Sequence, residues 1–490
     1  MSSTPTARPT RPTGPTRATA SAPAGPAGEA LPPGARGALA ALIVGGVAAI
    51  LDSTMVTLAI HPLSLAFHSS AGGLQWVTTG YLLAITAAIP LTGRLEGRLG
   101  GRRAWAVALT LFLAGSVLCA ASWNVASLVG FRVLQGLGGG LIFPLMQTLA
   151  VRAAGGRPSS RLMATVSLPI ALGPILGPVV GGLLLNWLNW RWLFLVNVPL
   201  VAAGLLLARR FLPADRPGQA ADQDRPDLLG LALLTPALTG ILVGLSQLSR
   251  DGGIGHLAVL APLAAGAALL VAFAVRAARP GGRRPIVDVR LLRLRSLGSA
   301  TGALFTAGAA SYAAMFLLPL YFQQLRGDSV LAAGLLMIPQ GVGALGARFV
   351  TGRLAERFGA RAVTVAGFLL TAVATVPFAL AGSGTATAWA AAVLLVRGLG
   401  IGAVLIPPMS VAYQDVEPAD IPHATMNTRI AQQVGASFGT AIVAVVLQSL
   451  TAHDAVSAFQ HAFWWAAGIT VAALLPALAL PLGERGAGRR

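Results

Sequence analysis

Fourteen long apolar stretches divide this chain of 490 residues. Hydrophobic residues make up 55% of the chain and charged residues only 10%, with a mean hydropathy of +0.73. A membrane crossing needs about 20 apolar residues, and only helices or closed barrels satisfy their backbone groups in lipid. The pattern predicts an all-α polytopic membrane protein. Its helices are expected near 38–60, 74–93, 104–121, 125–150, 162–185, 192–212, 228–247, 256–275, 296–322, 331–350, 362–381, 386–411, 430–450 and 459–481.

The basic residues, all of them arginines, are distributed unevenly between the two sides of the predicted membrane protein. With fourteen stretches both termini share one side, and 30 of the 35 arginines fall there. Only Arg191, Arg250 and Arg326 fall on the other side. The positive-inside rule therefore places both termini in the cytoplasm and the chain in the cytoplasmic (inner) membrane. Because the charges punctuate loops rather than one soluble module, no nucleic-acid partner is expected.

Two pairs of similar segments indicate that the chain consists of two related halves. GRLEGRLGGRR (93–103) is similar to GRLAERFGAR (352–361), and QGLGGG (135–140) to RGLGIG (397–402). We predict a disordered cytoplasmic tail, an N-terminal six-helix bundle, a linker with two additional helices, a C-terminal six-helix bundle and a second cytoplasmic tail. Their bounds are 1–37, 38–212, 213–295, 296–481 and 482–490.

Asp52 is the only carboxylate within the fourteen stretches. A charged side chain at the bilayer centre costs at least about 2.5–3.5 kcal/mol, so such residues are usually functional and paired. We interpret Asp52 as a residue that handles protons or cations. The alternative is a structural ion pair that only joins two helices.

The repeated segments resemble the cytoplasmic signature of the major facilitator superfamily, G-x-L-a-D-r-x-G-r-k. Four further segments, LDSTMVTLAIHP (51–62), LQWVTTGYLLA (74–84), NWRWLFLVNVP (189–199) and RPIVDVRLLRLRS (284–296), resemble its fourteen-span drug:proton antiporter group. The pattern G-x-x-x-G-P-x-x-G-G of its antiporters is matched by Gly173, Gly177, Pro178, Gly181 and Gly182. The resemblance implies the major-facilitator fold, with two six-helix bundles plus two inserted helices, fourteen in all.

The same resemblance assigns the two repeated segments to cytoplasmic gate loops. Gly97 stands where the family has an aspartate, which leaves open whether Glu96 takes over that role. His61 replaces a small apolar residue and adds a titratable group at the outer mouth. The gate residues implied are Gly93, Glu96, Arg98, Gly100, Arg102, Gly352, Glu356, Arg357 and Gly359.

Helix geometry predicts that Asp52 and Arg132 lie at similar depth. Asp52 is roughly 21 Å from the inner end of its stretch, and Arg132 roughly 10 Å from the outer end of its own. Burial favours a neutral carboxyl and a nearby arginine favours a charged one, so a conformational change could load or release a proton. A permanent pair that never titrates is the alternative. Arg397 has no acidic partner, and both a structural bond, to Gln340, Tyr312 or backbone carbonyls, and a substrate contact stay open.

The predicted cavity is mostly apolar with few polar groups, which suits hydrophobic or amphipathic small molecules. The predicted function is a proton-coupled antiporter that exports drugs or antibiotics by alternating access. A lipophilic cation is the natural cargo, with neutral and zwitterionic compounds left open. The alternatives are a lipid or lipid-precursor exporter and a non-transporting sensor or scaffold. Its expected lining is Gln75, Trp76, Tyr81, Gln135, Tyr312, Gln323, Gln340, Asn427 and Gln433.

The sequence predicts a monomer in the lipid bilayer whose partners are its substrates and protons. No constellation of nucleophile, base and orienting residue is present, so an enzyme is not expected, and neither is a cofactor or a metal.

Overall fold

The computed structural model of the chain describes residues 35–153, 173, 176–213, 228–247, 256–278, 289–417, 420–450 and 454–481. Within these residues the chain forms fifteen helices and no strand. The predicted disordered tail up to residue 34, the second tail and much of the polar linker lie outside the described residues.

The helices are labelled in chain order, and short 3₁₀ or π turns are included where a helix runs on through them. The first seven are α1 (Ala35–Phe67), α2 (Ala71–Ala88), α3 (Thr92–Leu99), α4 (Gly101–Ala120), α5 (Val125–Ala153), α6 (Leu176–Trp187) and α7 (Trp192–Phe211). The other eight are α8 (Leu228–Gln247), α9 (Leu257–Ala278), α10 (Arg295–Leu325), α11 (Val330–Phe358), α12 (Ala360–Ala379), α13 (Thr387–Ala412), α14 (Ile421–Leu450) and α15 (Ala455–Ala479).

Each of the fourteen apolar stretches coincides with a helix where the structure describes it, and most of the stretch before Leu176 lies outside the described residues. Among the described residues, eleven helices are long and apolar enough to cross a membrane. The predicted all-α membrane class is therefore confirmed, while the count of fourteen crossings stays a prediction. Helix α14 begins nine residues before its predicted start at 430, because apolarity marks only the part of a helix that lies in lipid.

The two repeated segments, predicted as loops, are mostly helical. The first forms α3, and the second continues α11 past Arg348 to Phe358. Each helix stops at a glycine with positive φ, Gly100 at 85° and Gly359 at 87°. Glycine at this position has no Cβ to oppose the left-handed backbone that ends a helix. The prediction of loops was therefore wrong, because charged residues and glycines do not by themselves end a helix where it leaves the membrane.

The repeated glycines of α5 and α13 pack in the same way in both halves. A Cβ at Gly136 would press on the carbonyl of Tyr81, and one at Gly398 on the carbonyl of Gln340. Tyr81 and Gln340 hold equivalent places, since Tyr81 lies as many residues before Gly100 as Gln340 lies before Gly359. The halves therefore share one packing scheme. The bounds predicted for the two bundles and the linker stay a prediction.

The two halves are in contact at the end of the bundle where arginines are scarce, which we call the arginine-poor face. The Gln323 side-chain amide donates to the carbonyl of Leu58 at 3.2 Å. His61 Nδ1 and Gln324 Nε2 lie 3.2 Å apart. One apolar cluster combines residues of α1, such as Leu58, with residues of α10. Polar and apolar contacts thus join the two halves at this face.

Candidate functional site

The Asp52 carboxylate of α1 is bonded directly to the Arg132 guanidinium of α5. Arg132 Nη1 donates to Asp52 Oδ2 at 2.5 Å. The exposed fraction of the side chain is 0% for Asp52 and 1% for Arg132. Two charges removed from solvent in this way need each other, because breaking a buried pair costs about 3–5 kcal/mol. The structure thus brings together the two residues that depth alone placed at the same level.

Three further polar side chains complete a network around this carboxylate. Gln135 Nε2 and Asn197 Nδ2 donate to Asp52 Oδ1 at 2.9 and 3.0 Å. Both amides also donate to Ser116 Oγ, at 2.8 and 3.2 Å. The three side chains come from α5, α7 and α4, and each is fully buried. The carboxylate therefore accepts three hydrogen bonds, from Arg132, Gln135 and Asn197.

Arg132 is held from its other side by α2. Its Nε donates to the carbonyl of Val77 at 3.2 Å, and its Nη1 also donates to Gln135 Oε1 at 2.6 Å. The guanidinium lies 3.9 Å from the ring centroid of Tyr81, a cation–π contact. A guanidinium with this many partners is fixed in position on the carboxylate of Asp52.

The glycines of the antiporter pattern pack against α1 beside Asp52. A Cβ at Gly173 would meet Ile50, and one at Gly177 would meet Thr54. Thr54 Oγ1 donates to the carbonyl of Gly173 at 3.3 Å. Small residues allow this close approach of two backbones. The turn of α1 that carries Asp52 is thereby coupled mechanically to the chain of the antiporter pattern.

An adjacent side of α6 touches the other half. A Cβ at Gly182 would lie 3.2 Å from Cα of Leu331, and one at Gly334 would press on the carbonyl of Pro178. Helix α6 therefore lies between the Asp52 network and the contact of the two halves at the arginine-poor face.

Arg397 of α13 occupies the position in the C-terminal half that Gln135 holds in the N-terminal half. Its donors bond Gln340 Oε1 at 2.9 Å, Thr375 Oγ1 at 3.1 Å and the carbonyl of Ala310 at 3.2 Å. All three acceptors are uncharged, and the side chain is 1% exposed. The C-terminal half therefore holds a buried cation without a carboxylate partner among the described residues.

A model of the family described as "Major Facilitator Superfamily" matches residues 42–440. The chain belongs to the Major Facilitator Superfamily. A "Multidrug resistance protein B homolog" of Mycobacterium tuberculosis is 34% identical over 407 residues, which cover 83% of this chain and 75% of the relative. The "Lincomycin resistance protein LmrB" of Listeria monocytogenes is 27% identical and covers 84% of this chain and 86% of its own length.

Among solved structures, a D-xylose-proton symporter superposes with a TM-score of 0.65. It covers 92% of this chain and 98% of its own, at 16% identity, so the likeness shows the fold alone. Membership of the Major Facilitator Superfamily makes the chain a multi-span membrane transporter of small molecules.

The predicted cavity residues are distributed over several places in this Major Facilitator fold. Tyr81 and Gln135 belong to the Asp52 network, Gln340 bonds Arg397, and Gln323 joins the halves. Gln75 and Asn427 are buried, whereas Trp76, Tyr312 and Gln433 are half-buried. Their joint role as a substrate lining stays a prediction.

Two apolar cavities lie elsewhere, in the C-terminal half. One of about 580 Å³ lies between α11, α12 and α13, and one of about 830 Å³ between α12 and α13. Neither contains a predicted lining residue. No group of three potential metal ligands occurs in the part of the chain that the structure describes.

The predicted gate residues lie at the end of the bundle opposite the arginine-poor face, which we call the arginine-rich face. The Glu96 carboxylate lies 2.8 Å from Arg152 at the end of α5, and Arg102 donates to the carbonyl of Arg209 at 2.6 Å. Glu96 thus bridges α3 and α5 although Gly97 carries no acid. The other gate side chains and glycines on the surface are Gly93, Arg98, Gly352, Glu356 and Arg357.

The sequence reading missed Asn197 and Ser116 as members of the site. Asn197 lies in an apolar helix, and a polar side chain at membrane depth is itself a functional signal. It stands within the segment NWRWLFLVNVP, which was recognised only as a family signature. Ser116 carried no such signal, because a lone serine in a helix usually bonds its own backbone.

Proposed function

We propose that this chain is a proton-coupled antiporter that exports hydrophobic or amphipathic drugs or antibiotics from the cytoplasm by alternating access. The observation that carries the proposal is the buried Asp52–Arg132 pair, which lies beside the packing of α6 and the antiporter pattern. The names of the multidrug and lincomycin resistance relatives support a drug-like cargo.

Protonation of Asp52 would remove the charge that holds Arg132 and would turn one hydrogen-bond acceptor into a donor. Asn197 Oδ1 is buried and accepts no hydrogen bond from the described residues. Rotation of the Asn197 amide would place this oxygen where it accepts the new proton. The network can therefore accommodate both states of the carboxyl, but with different bonds between α1, α5 and α7.

The difference in bonding reaches the contact between the halves through α6. A shift of α1 at Thr54 changes the packing of Gly173 and Gly177, and Gly182 on the same segment contacts Leu331 of the other half. Proton entry would thus bias opening and closing of the arginine-poor face. Each proton that enters is worth about 2.3 kcal/mol per 100 mV, which sustains roughly a 50-fold gradient of a neutral substrate.

Everted membrane vesicles test this function directly. Addition of a transported drug to energised vesicles should release protons from the lumen, and a susceptibility panel should show increased resistance in cells that make the protein. A panel of unchanged susceptibilities together with no drug-induced proton flux would contradict drug:proton antiport and leave lipid export as the alternative.

Gly182→Val tests the role of the contact between the halves. The added side chain would enter the space of Leu331 and Val330, whose carbonyl would lie 3.3 Å from the new Cβ. We expect closure at the arginine-poor face to be disfavoured and drug export to fall about tenfold, since a clash of about 1–3 kcal/mol shifts the equilibrium between the two conformations. Drug-dependent proton flux in everted vesicles measures the effect.

Gly468→Val is the matched control, because a Cβ at Gly468 has no neighbour within 4 Å. It should export at the wild-type rate. Normal export by Gly182→Val would mean that this contact does not move during transport.

Cysteine labelling tests the proposed orientation. In a Cys119→Ala background, cysteines at the exposed positions Ala121 and Ser383 should react with an impermeant maleimide added to intact cells. Cysteines at the exposed Arg103 and Arg353 should react only after permeabilisation, because the positive-inside rule places that face in the cytoplasm. Labelling of either pair in the reverse pattern would contradict the proposed orientation of the chain in the membrane.

A further inference from the structure

The C-terminal half holds an apolar groove on its outer surface. It is the cavity of about 580 Å³ between α11, α12 and α13. Its side chains are apolar apart from one threonine, Thr351. Several of them, such as Leu354, Phe358 and Leu370, are left exposed by the rest of the described chain. The groove therefore suits a hydrocarbon chain rather than a polar solute.

Helix periodicity forms the two walls of this groove. On α11 the wall consists of Val350, Leu354 and Phe358, which follow one another every four residues. On α12 a second row with the same spacing runs from Ala362 to Leu370. Residues four apart lie on one side of a helix, so each row presents a continuous apolar side to the groove.

The space between the walls remains open because α11 and α12 both pack closely on α13. A Cβ at Gly343 of α11 would press on the carbonyl of Leu395, and one at Gly367 of α12 would press on Val404. Gly346 lines the groove and differs from both, because a Cβ there would meet nothing within 4 Å. The groove is therefore unfilled beside Gly346.

The groove spans about one leaflet of a membrane. It extends along α11 from Gly346 to Phe358, which is about 18 Å at 1.5 Å per residue. Half of a hydrocarbon core of about 30 Å is about 15 Å. Phe358 is the last residue of α11 and lies at the arginine-rich face. The groove can therefore hold an acyl chain of a lipid whose headgroup lies at this face.

Two arginines lie at this end of the groove. Arg353 and Arg357 follow Gly346 by seven and eleven residues, which places them on its side of α11. The Arg357 guanidinium lies 5.2 Å from the ring centroid of Phe358, which lines the groove. Both arginines are exposed, and neither forms an ion pair with a residue that the structure describes. The acid between them, Glu356, lies two residues before Phe358 and so faces away from it. The end of the groove is thus positively charged.

We propose that this groove binds an anionic phospholipid, with an acyl chain between α11 and α12 and the headgroup phosphate on Arg353 and Arg357. Guanidinium groups bind phosphate oxygens through paired hydrogen bonds, and basic pockets between membrane helices bind anionic headgroups. A free phosphate ion would use the arginines but not the apolar walls, whereas a phospholipid uses both. The groove shares no residue with the Asp52 network, so this lipid site goes beyond the proposed export function.

Native mass spectrometry of the purified full-length protein tests the site without requiring transport. Phosphatidylglycerol and phosphatidylcholine with identical acyl chains are titrated separately, and the affinity of the first bound lipid is measured. We expect phosphatidylglycerol to bind about tenfold tighter, because only its headgroup carries a net negative charge for the two arginines. Equal affinities would overturn the proposal. Displacement of the lipid by excess inorganic phosphate would assign the arginines to a free anion and would also overturn it.

Gly346→Leu tests the apolar part of the groove. The leucine side chain would occupy the open space and should weaken phosphatidylglycerol binding about tenfold, while the absence of close neighbours should let the variant fold. Gly468→Leu on α15 is the matched control, because its Cβ also meets nothing within 4 Å, and it should bind like wild type. Unchanged lipid affinity of Gly346→Leu would overturn the site. If its oligomeric state changed instead, the groove would belong to a contact with a second copy of the chain.

The double variant Arg353→Gln with Arg357→Gln tests the headgroup part of the site. It should bind both lipids with similar affinity, because the apolar walls remain and the charge is lost. Arg210→Gln with Arg293→Gln removes the same charge from exposed arginines elsewhere at the arginine-rich face and should keep the tenfold preference. Full preference in the first double variant would place the headgroup elsewhere and would contradict the proposal.

Fluorescence quenching in nanodiscs locates the bound lipid. In a Cys119→Ala background, a bimane label replaces Leu369, which is exposed beside the groove without lining it, or Val471, which is exposed on α15. Both positions lie about 12–14 Å from the end of their helix at the arginine-rich face. With a minor fraction of phosphatidylglycerol that carries brominated acyl chains in phosphatidylcholine, we expect stronger quenching at Leu369. Equal quenching at the two positions would show that the groove does not concentrate the anionic lipid.

Discussion

Asp52→Asn is expected to reduce drug export against a gradient to the level of membranes without the protein. Asparagine keeps the shape of the side chain and an oxygen that can accept from Arg132, but it cannot take up a proton. Counterflow of substrate down its gradient should survive in part, because binding does not require the charge. Proton flux and drug accumulation in everted vesicles measure the two activities separately.

The substitution also leaves Arg132 without a counter-charge. Loss of one partner of a buried pair costs about 3–5 kcal/mol, so we expect a lower melting temperature but a monodisperse protein. Asp328→Asn is the matched control, since it breaks the Arg326–Asp328 pair in the loop between α10 and α11. The Asp328 side chain is 22% exposed, so loss of this pair should cost less than loss of the fully buried pair, and export should persist. Outward concentration of drug by Asp52→Asn would refute the coupling role and make His61 the next candidate.

Arg132→Ala should abolish export as completely as Asp52→Asn. Without the guanidinium, burial alone acts on the Asp52 carboxyl and favours its neutral form. The proton would then be retained, and Gln135 and Val77 would each lose a hydrogen-bond partner. We expect drug-induced proton release to disappear in everted vesicles, with substrate binding reduced far less.

The double variant Asp52→Asn with Arg132→Gln separates a switch from a structural brace. A neutral pair can preserve hydrogen bonds to Gln135 and Asn197 while no charge is buried, so thermal stability should recover relative to either single variant. If the pair is only a structural brace, the double variant should also recover coupled export. If the pair is the proposed switch, the double variant should recover stability but not export. Full pumping by the double variant would defeat the proton-coupling mechanism.

The apolar stretches determined much of the fold, because hydropathy is a property of local sequence. In lipid, a stretch of this length satisfies its backbone groups only as a helix. The single acid among these stretches also identified Asp52 as exceptional, since its cost in lipid does not depend on knowing its neighbours. The repeated glycines predicted two related halves, and their equivalent packing on Tyr81 and Gln340 agrees with that prediction.

Local sequence did not indicate the structure of the two repeated segments. The repeated segments, which are rich in arginine and glycine, were predicted to be loops, although only Gly100 and Gly359 interrupt the helices. Charge does not exclude helix where a helix leaves the membrane, so polarity marked the membrane boundary rather than the helix boundary. Nothing in sequence alone indicated that Glu96 would reach Arg152.

The partners in the site were decided by the tertiary structure. Asn197 lies 145 residues from Asp52 in the chain, and its bond to that carboxylate depends on how α7 is rotated against α1. The same holds for Arg397, whose hydrogen bonds go to uncharged groups on three other helices. The sequence determined which residues are energetically unfavourable in a membrane, because the free-energy cost of burying a charged side chain in lipid depends on the residue type. Only packing determined that Asp52 and Arg132 neutralise each other while Arg397 bonds uncharged groups, because pairing depends on helix rotation and contact.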